Sequence, residues 1–92
     1  MKTVTRIQMV QPKTRRFYDI DLQQFARGET EGDGRISPGA YEVVVNQGKI
    51  VGGLSKITQM FACKADSLAE AQATFESLHL EAIGDGYVEQ TH

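Results

Sequence analysis

Apolar and polar positions alternate with a period of two through most of this chain and switch to three- and four-residue spacing only near its C-terminal end. In residues 3 to 11, Thr5, Ile7 and Met9 oppose Val4, Arg6, Gln8 and Val10, the pattern of a strand with one better-buried face. Pro12 and Lys13 mark a turn. From Arg15 to Leu22, Tyr18, Ile20 and Leu22 share one face while Phe17, Asp19 and Asp21 share the other, which predicts a half-buried strand. Tyr41, Val43 and Val45 alternate against Glu42, Val44 and Asn46 in a third strand that Gly48 bends or ends, and a short continuation over 49 to 51 runs into a Gly52-Gly53 turn. Residues 54 to 63 read as a further strand, with Ile57, Phe61 and Cys63 on one parity and Met60 and Ala62 on the other.

Between the second and third of these strands, residues 23 to 40 hold Gly28, Gly32, Gly34, Pro38 and Gly39, too many turn formers for a regular element, so a long loop is expected. The helix signal comes after the last strand. Ser67 and Glu70 fit a capping box, and Leu68, Ala71, Phe75, Leu78 and Ala82 recur at helical spacing as one apolar stripe. Gly84 is placed to stop that helix in the left-handed conformation. A helix with one apolar face must cover one face of a sheet. The expected fold is therefore α+β, an antiparallel sheet of four to five strands with one C-terminal amphipathic helix packed on one face.

Ninety-two residues leave room for a single domain, and 40% hydrophobic with 24% charged residues is ordinary globular composition. Cys63 is the only cysteine, which rules out an intramolecular disulfide and makes a reducing cytoplasm the expected setting. Polar residues interrupt every apolar stretch of the N-terminal region, so neither a signal segment nor a membrane span is expected. The net charge of −2 conceals a separation along the chain. Residues 1 to 18 carry Lys2, Arg6, Lys13, Arg15 and Arg16 with no acid, a block of +5. Residues 66 to 92 carry Asp66, Glu70, Glu76, Glu81, Asp85 and Glu89 with no Lys or Arg, a block of −6. Kept apart by the fold, these blocks make one basic face suited to an anionic partner, extended by Lys49, Lys56 and Lys64. Mixed by the fold, they are solvated surface charge.

The order of these parts resembles the WGR domain. Residues 16 to 22 resemble its opening aromatic strand, Tyr41 to Gly53 its signature strand and glycine turn, and Met60-Phe61 the strand after it. Asp66 to Ala71 followed by Phe75 resembles its helix pattern, and Gly84 to Tyr87 its closing Gly-aromatic segment, so the likeness covers residues 16 to 88. WGR domains occur in poly(ADP-ribose) polymerases and as short stand-alone bacterial proteins, and the resemblance is to the stand-alone kind. It implies contact with DNA through the signature. Where the family reads Trp-Gly-Arg, this chain has Gln47-Gly48-Lys49. Gln47 has no aromatic face for stacking, worth about 1–3 kcal/mol per base. Lys49 keeps the cation but not the planar two-pronged fork of arginine.

Other constellations carry less chemistry. Glu29 to Ile36 imitates the start of a calcium-binding loop, but Ala40 stands where the twelfth-position Glu is needed and Pro38 intervenes. Residues 48 to 53 lack the Gly-Lys-Ser/Thr ending of a phosphate loop and a following helix, so a glycine-dependent bend explains them. Cys63 and His79 have no third partner at a recognised spacing, and a strand cysteine of buried parity is read as a small core residue. No catalytic residue, metal site, cofactor or small-molecule substrate is expected.

These readings converge on a non-enzymatic binding module that contacts DNA or RNA by phosphate neutralisation, through Arg6, Lys13, Arg15, Arg16, Gln47, Lys49 and Lys56. The alternative is a protein-interaction or self-associating module using Phe17, Phe25 and Val44 on a sheet face that the helix leaves open.

Overall fold

A computed structural model describes residues 2–28, 30 and 40–90. Its elements are β1 (Lys2–Gln11), β2 (Arg16–Phe25), β3 (Ala40–Val51), β4 (Leu54–Ala65), α1 (Leu68–Gly84) and β5 (Val88–Glu89). The strands form one antiparallel sheet in the order β4-β3-β2-β1-β5, with α1 against one face. This is the expected α+β fold.

Alternation sets what the helix covers. Met9 of β1, Tyr18, Ile20 and Leu22 of β2, and Val43 and Val45 of β3 are buried on the helix-side face, where they join Ala65 and the helix residues Ala71, Phe75 and Ala82 in one core. Ile20 pairs with Val45 and Val45 with Phe61, so a single apolar row crosses three strands beneath the helix. Leu68 departs from the expected stripe. It is 38% exposed at the first turn, where the helix has only begun to pass over the sheet, and the buried helix residues are Ala71, Phe75 and Ala82.

Both helix ends are capped. The Glu70 amide donates to Ser67 Oγ at 3.2 Å, and the Asp66 amide donates to Glu70 Oε2 at 3.4 Å, so the return bond reaches one residue before the cap. At the far end Gly84 stays helical. The left-handed residue is Gly86, φ +94°, and the Tyr87 amide donates to the Ala82 carbonyl while the Gly86 amide donates to that of Ile83. That pair of bonds is a Schellman stop centred two residues later than the first glycine.

Residues 23 to 25 belong to β2 and not to a loop. Pairing on both sides carries the strand on, with Gln24 opposite Lys2 and Phe25 opposite Ala40. The calcium-like stretch 29 to 36 lies, apart from Thr30, outside the described residues. β3 runs unbroken through Gly48, and Gly52 and Gly53, with φ of +59° and +81°, close a two-residue hairpin between Val51 and Leu54.

The β3–β4 ladder slips by one residue beside Gly48. Gln47 pairs with Gln59, but Gly48 pairs with Ile57, leaving Thr58 as the extra residue of a bulge. Ile57 therefore faces away from the helix on the side of Phe17, and not with Phe61 and Cys63 as strict alternation predicts. The Phe17 ring lies over Gly48, which holds it 5% exposed. Phe25 is 7% exposed. Neither phenylalanine is open for docking, although both stand on the face without a helix.

Candidate functional site

The sheet brings four of the sequence-predicted residues together. Arg16 of β2 pairs with Lys49 of β3, which pairs with Lys56 of β4, so three cations occupy one row on adjacent strands. Neighbouring residues of such a row have Cα atoms roughly 5 Å apart. All three are exposed, and none forms an ion pair with a described residue. Like charges directly opposite one another destabilise a sheet, so this row gains from any anion that binds it.

Beside the row lies a concave surface lined by Arg16, Gln47, Gly48, Lys49, Thr58, Gln59 and Tyr87. Gln47 and Gln59 are directly paired and present amide groups next to the cations. Thr58, set free by the bulge, has its hydroxyl 3.5 Å from the Gln47 carbonyl oxygen. The surface continues toward the helix C-terminus, where Gln11, Tyr18, Phe61, Glu81 and Asp85 join Arg16, Gln47 and Tyr87. The rings of Tyr18 and Tyr87 stand 5.5 Å apart at 50°. Burial, then the Glu81 carboxylate, the Tyr87 ring group and the Asp85 carboxylate, raise the Tyr18 phenol above its ordinary pKa of 10.0, so it stays a hydrogen-bond donor.

Local structure explains how these parts meet. The Pro12–Arg15 turn places Arg15 in the left-handed region, φ +54°, and the Arg15 carbonyl accepts from the Ile50 amide at 2.7 Å. That bond ties the turn to the β3–β4 hairpin, so Lys13 and Arg15 are carried to the same end of the sheet as the cation row. Gln11 Nε2 donates to the Asp85 carbonyl at 2.6 Å and fixes the helix end there as well. The acidic block thus approaches the basic one at this end, and the two are not kept on separate faces.

Arg6 stands apart. It lies on the face without the helix, where its Nε is 3.4 Å from Asp21 Oδ1. The contact is within ion-pair range, but its alignment makes no hydrogen bond, and Asp21 Oδ1 is a buried oxygen without such a partner. Asp19 on the same face is raised above its ordinary pKa of 3.8 by burial, with Arg6 lowering it and Asp21 raising it.

Gln59 and Thr58 are site residues that the sequence pattern does not single out, and it marks Tyr87 only as the end of the closing Gly-aromatic segment. Tyr87 follows a glycine stop, a place where a returning aromatic is a recognisable signal, whereas Thr58 acquires its position only from the bulge. Cys63 sits on the helix-side face opposite Val43, and His79 lines a separate groove with Val4, Thr5, Leu22, Gln72, Phe75 and Glu76. Among the described residues no group of three or more His, Cys, Asp or Glu is arranged to hold a metal ion, and no helix is long and apolar enough to cross a membrane. No protein-family model, curated protein or solved structure matches the chain.

Proposed function

We propose that the chain is a non-enzymatic, cytoplasmic binding module that holds nucleic acid by phosphate contacts at the end of the sheet carrying Arg16, Lys49 and Lys56. The observation that carries this reading is the row itself, three cations in register on adjacent strands without an ion pair among the described residues, with Lys13 and Arg15 in the neighbouring turn. Such a row supplies charge and position without reading bases, because phosphate oxygens look alike along any sequence. The WGR-like order of parts supports the same partner class. Gln47 contributes amide hydrogen bonds where the family has a stacking ring, so affinity comes mainly from charge.

Fluorescence anisotropy with duplex, nicked and single-stranded DNA at low and moderate salt tests the reading. Affinity should fall steeply with salt, and R16A/K49A/K56A should flatten the logarithmic salt slope for duplex by about 2.7, three phosphate contacts at 0.9 each. Arg6→Ala should leave the slope unchanged, since Arg6 lies on the other face. Absence of binding at micromolar protein in low salt overturns the proposal. If light scattering on the same samples then shows a stable dimer, the chain is the self-associating module of the alternative reading, for which the 12-residue strand β4 stands at the edge of the described sheet.

A further inference from the structure

The side chains at the tip of the β3–β4 hairpin are apolar, which phosphate contact alone does not explain. At the tip of the β3–β4 hairpin Val51 and Leu54 are directly paired and 61% and 76% exposed, with only Gly52 and Gly53 ahead of them. Val51 shares its parity with Lys49, so the apolar pair, the Lys49–Lys56 pair and the Gln47–Gln59 pair follow one another down one face of the hairpin. Successive pairs on one face of a strand are about 6.7 Å apart, two residues at roughly 3.3 Å each. From residue 43 to residue 65 the chain contains Lys49, Lys56 and Lys64 and no acid. The hairpin ribbon is therefore two-stranded only beyond Ile50, whose amide is bonded to the Arg15 carbonyl, with an apolar tip, cations one layer behind where β2 joins the sheet, and no acid of its own.

We infer that this ribbon seats its tip in the major groove of duplex DNA, with Val51 and Leu54 against the C5-methyl groups of thymine and Lys49, Lys56 and Arg16 at the flanking phosphates. The inference rests on the phosphate-binding reading and adds to it a groove and a base preference. A major groove about 12 Å wide and 8.5 Å deep admits a two-stranded β-ribbon, and the thymine methyl is its one apolar feature. Side chains ahead of the cations by about 6.7 Å reach the groove floor while the cations remain near its walls.

Binding to an A·T-rich duplex is compared with binding to the same duplex carrying uracil in place of thymine, for the unaltered chain, Leu54→Ser and Val51→Thr. Each substitution alters an exposed side chain, and circular dichroism checks that the fold is kept. Loss of the methyls should weaken the unaltered chain about fourfold per contact, the fold-change corresponding to one buried methylene. Leu54→Ser should bind thymine DNA more weakly by a similar factor and respond less to uracil. Equal binding of both duplexes by all three proteins, with the steep salt slope intact, overturns the groove inference and leaves phosphate binding standing. Absence of binding to every nucleic acid overturns both. A chain that ignores the methyls but is taken up by phosphatidylserine vesicles through Leu54 also overturns the inference, because the tip is then a lipid contact.

Discussion

A Cβ at Gly48 would run into the Lys56 carbonyl oxygen and stand 2.8 Å from Phe17 Cε1. The backbone oxygen has little room to retreat while its strand stays in the ladder, and Phe17 is enclosed, so the crowding must be absorbed by the bulge itself. Gly48→Ala should therefore destabilise the fold by about 3 kcal/mol, the upper end of overpacking. In a domain of this size that lowers Tm by more than roughly 10 °C, readable by thermal denaturation. Gly84→Ala is the matched control, since nothing stands within 4 Å of a Cβ there, and it should be neutral or stabilising. Asp19 offers a test in pH. Its folded pKa is raised, chiefly by burial, so the fold favours the protonated acid, and the stability this gives is present at low pH and lost as pH rises through the folded value. Asp19→Asn should then raise Tm at neutral pH, and the advantage should shrink as pH falls toward and below the ordinary 3.8. An advantage that is constant with pH would exclude this cause.

At the scale of elements, period and parity carry most of the information. The three strands that contribute fully buried side chains to the core, and the helix, are visible because one face of each is apolar at a fixed spacing. Strand ends are less visible. β2 outruns its own pattern because hydrogen bonds from both neighbours hold residues 23 to 25, a cooperative effect that no local composition records. The helix stop moved from Gly84 to Gly86 for a related reason, since two glycines separated by one residue offer equivalent left-handed positions and the choice falls to Tyr87, whose ring meets Tyr18. β5 has only two residues and exists through pairing of Val88 and Glu89 with Val10 and Met9. The candidate site was half legible. Arg16 and Lys56 stand out in the sequence by charge, and Lys49 by charge and by its place in the signature-like strand, but nothing in their spacing of 33 and 7 positions announces a row, and Arg6 is equivalent to them until pairing puts it opposite Asp21.

For the whole molecule, the charge blocks do not act as blocks. The acidic helix end is pinned beside the basic end of the sheet by Gln11, and Arg16 lines the same surface as Glu81 and Asp85. A polyanion approaching there meets cations from the hairpin side and carboxylates from the helix side, which fixes the direction from which it can dock. The bulge at Thr58 decides how many cations it meets. With unbroken alternation, position 57 would oppose Lys49 and position 56 would oppose Ile50, so Ile57 would enter the row and Lys56 would turn to the other face. Deleting Thr58, by contrast, would remove the bulge and set Gln59 next to Ile57, so the Lys49–Lys56 and Gln47–Gln59 pairs both persist in an unbroken ladder and the duplex salt slope should stay as it is. A slope that falls by about 0.9 in a folded deletion variant would mean that the bulge itself, and not the strand pairing, turns Lys56 toward the phosphates. One uncharged residue, by standing outside the ladder, keeps the phase of the hairpin and with it the number of cations in the row.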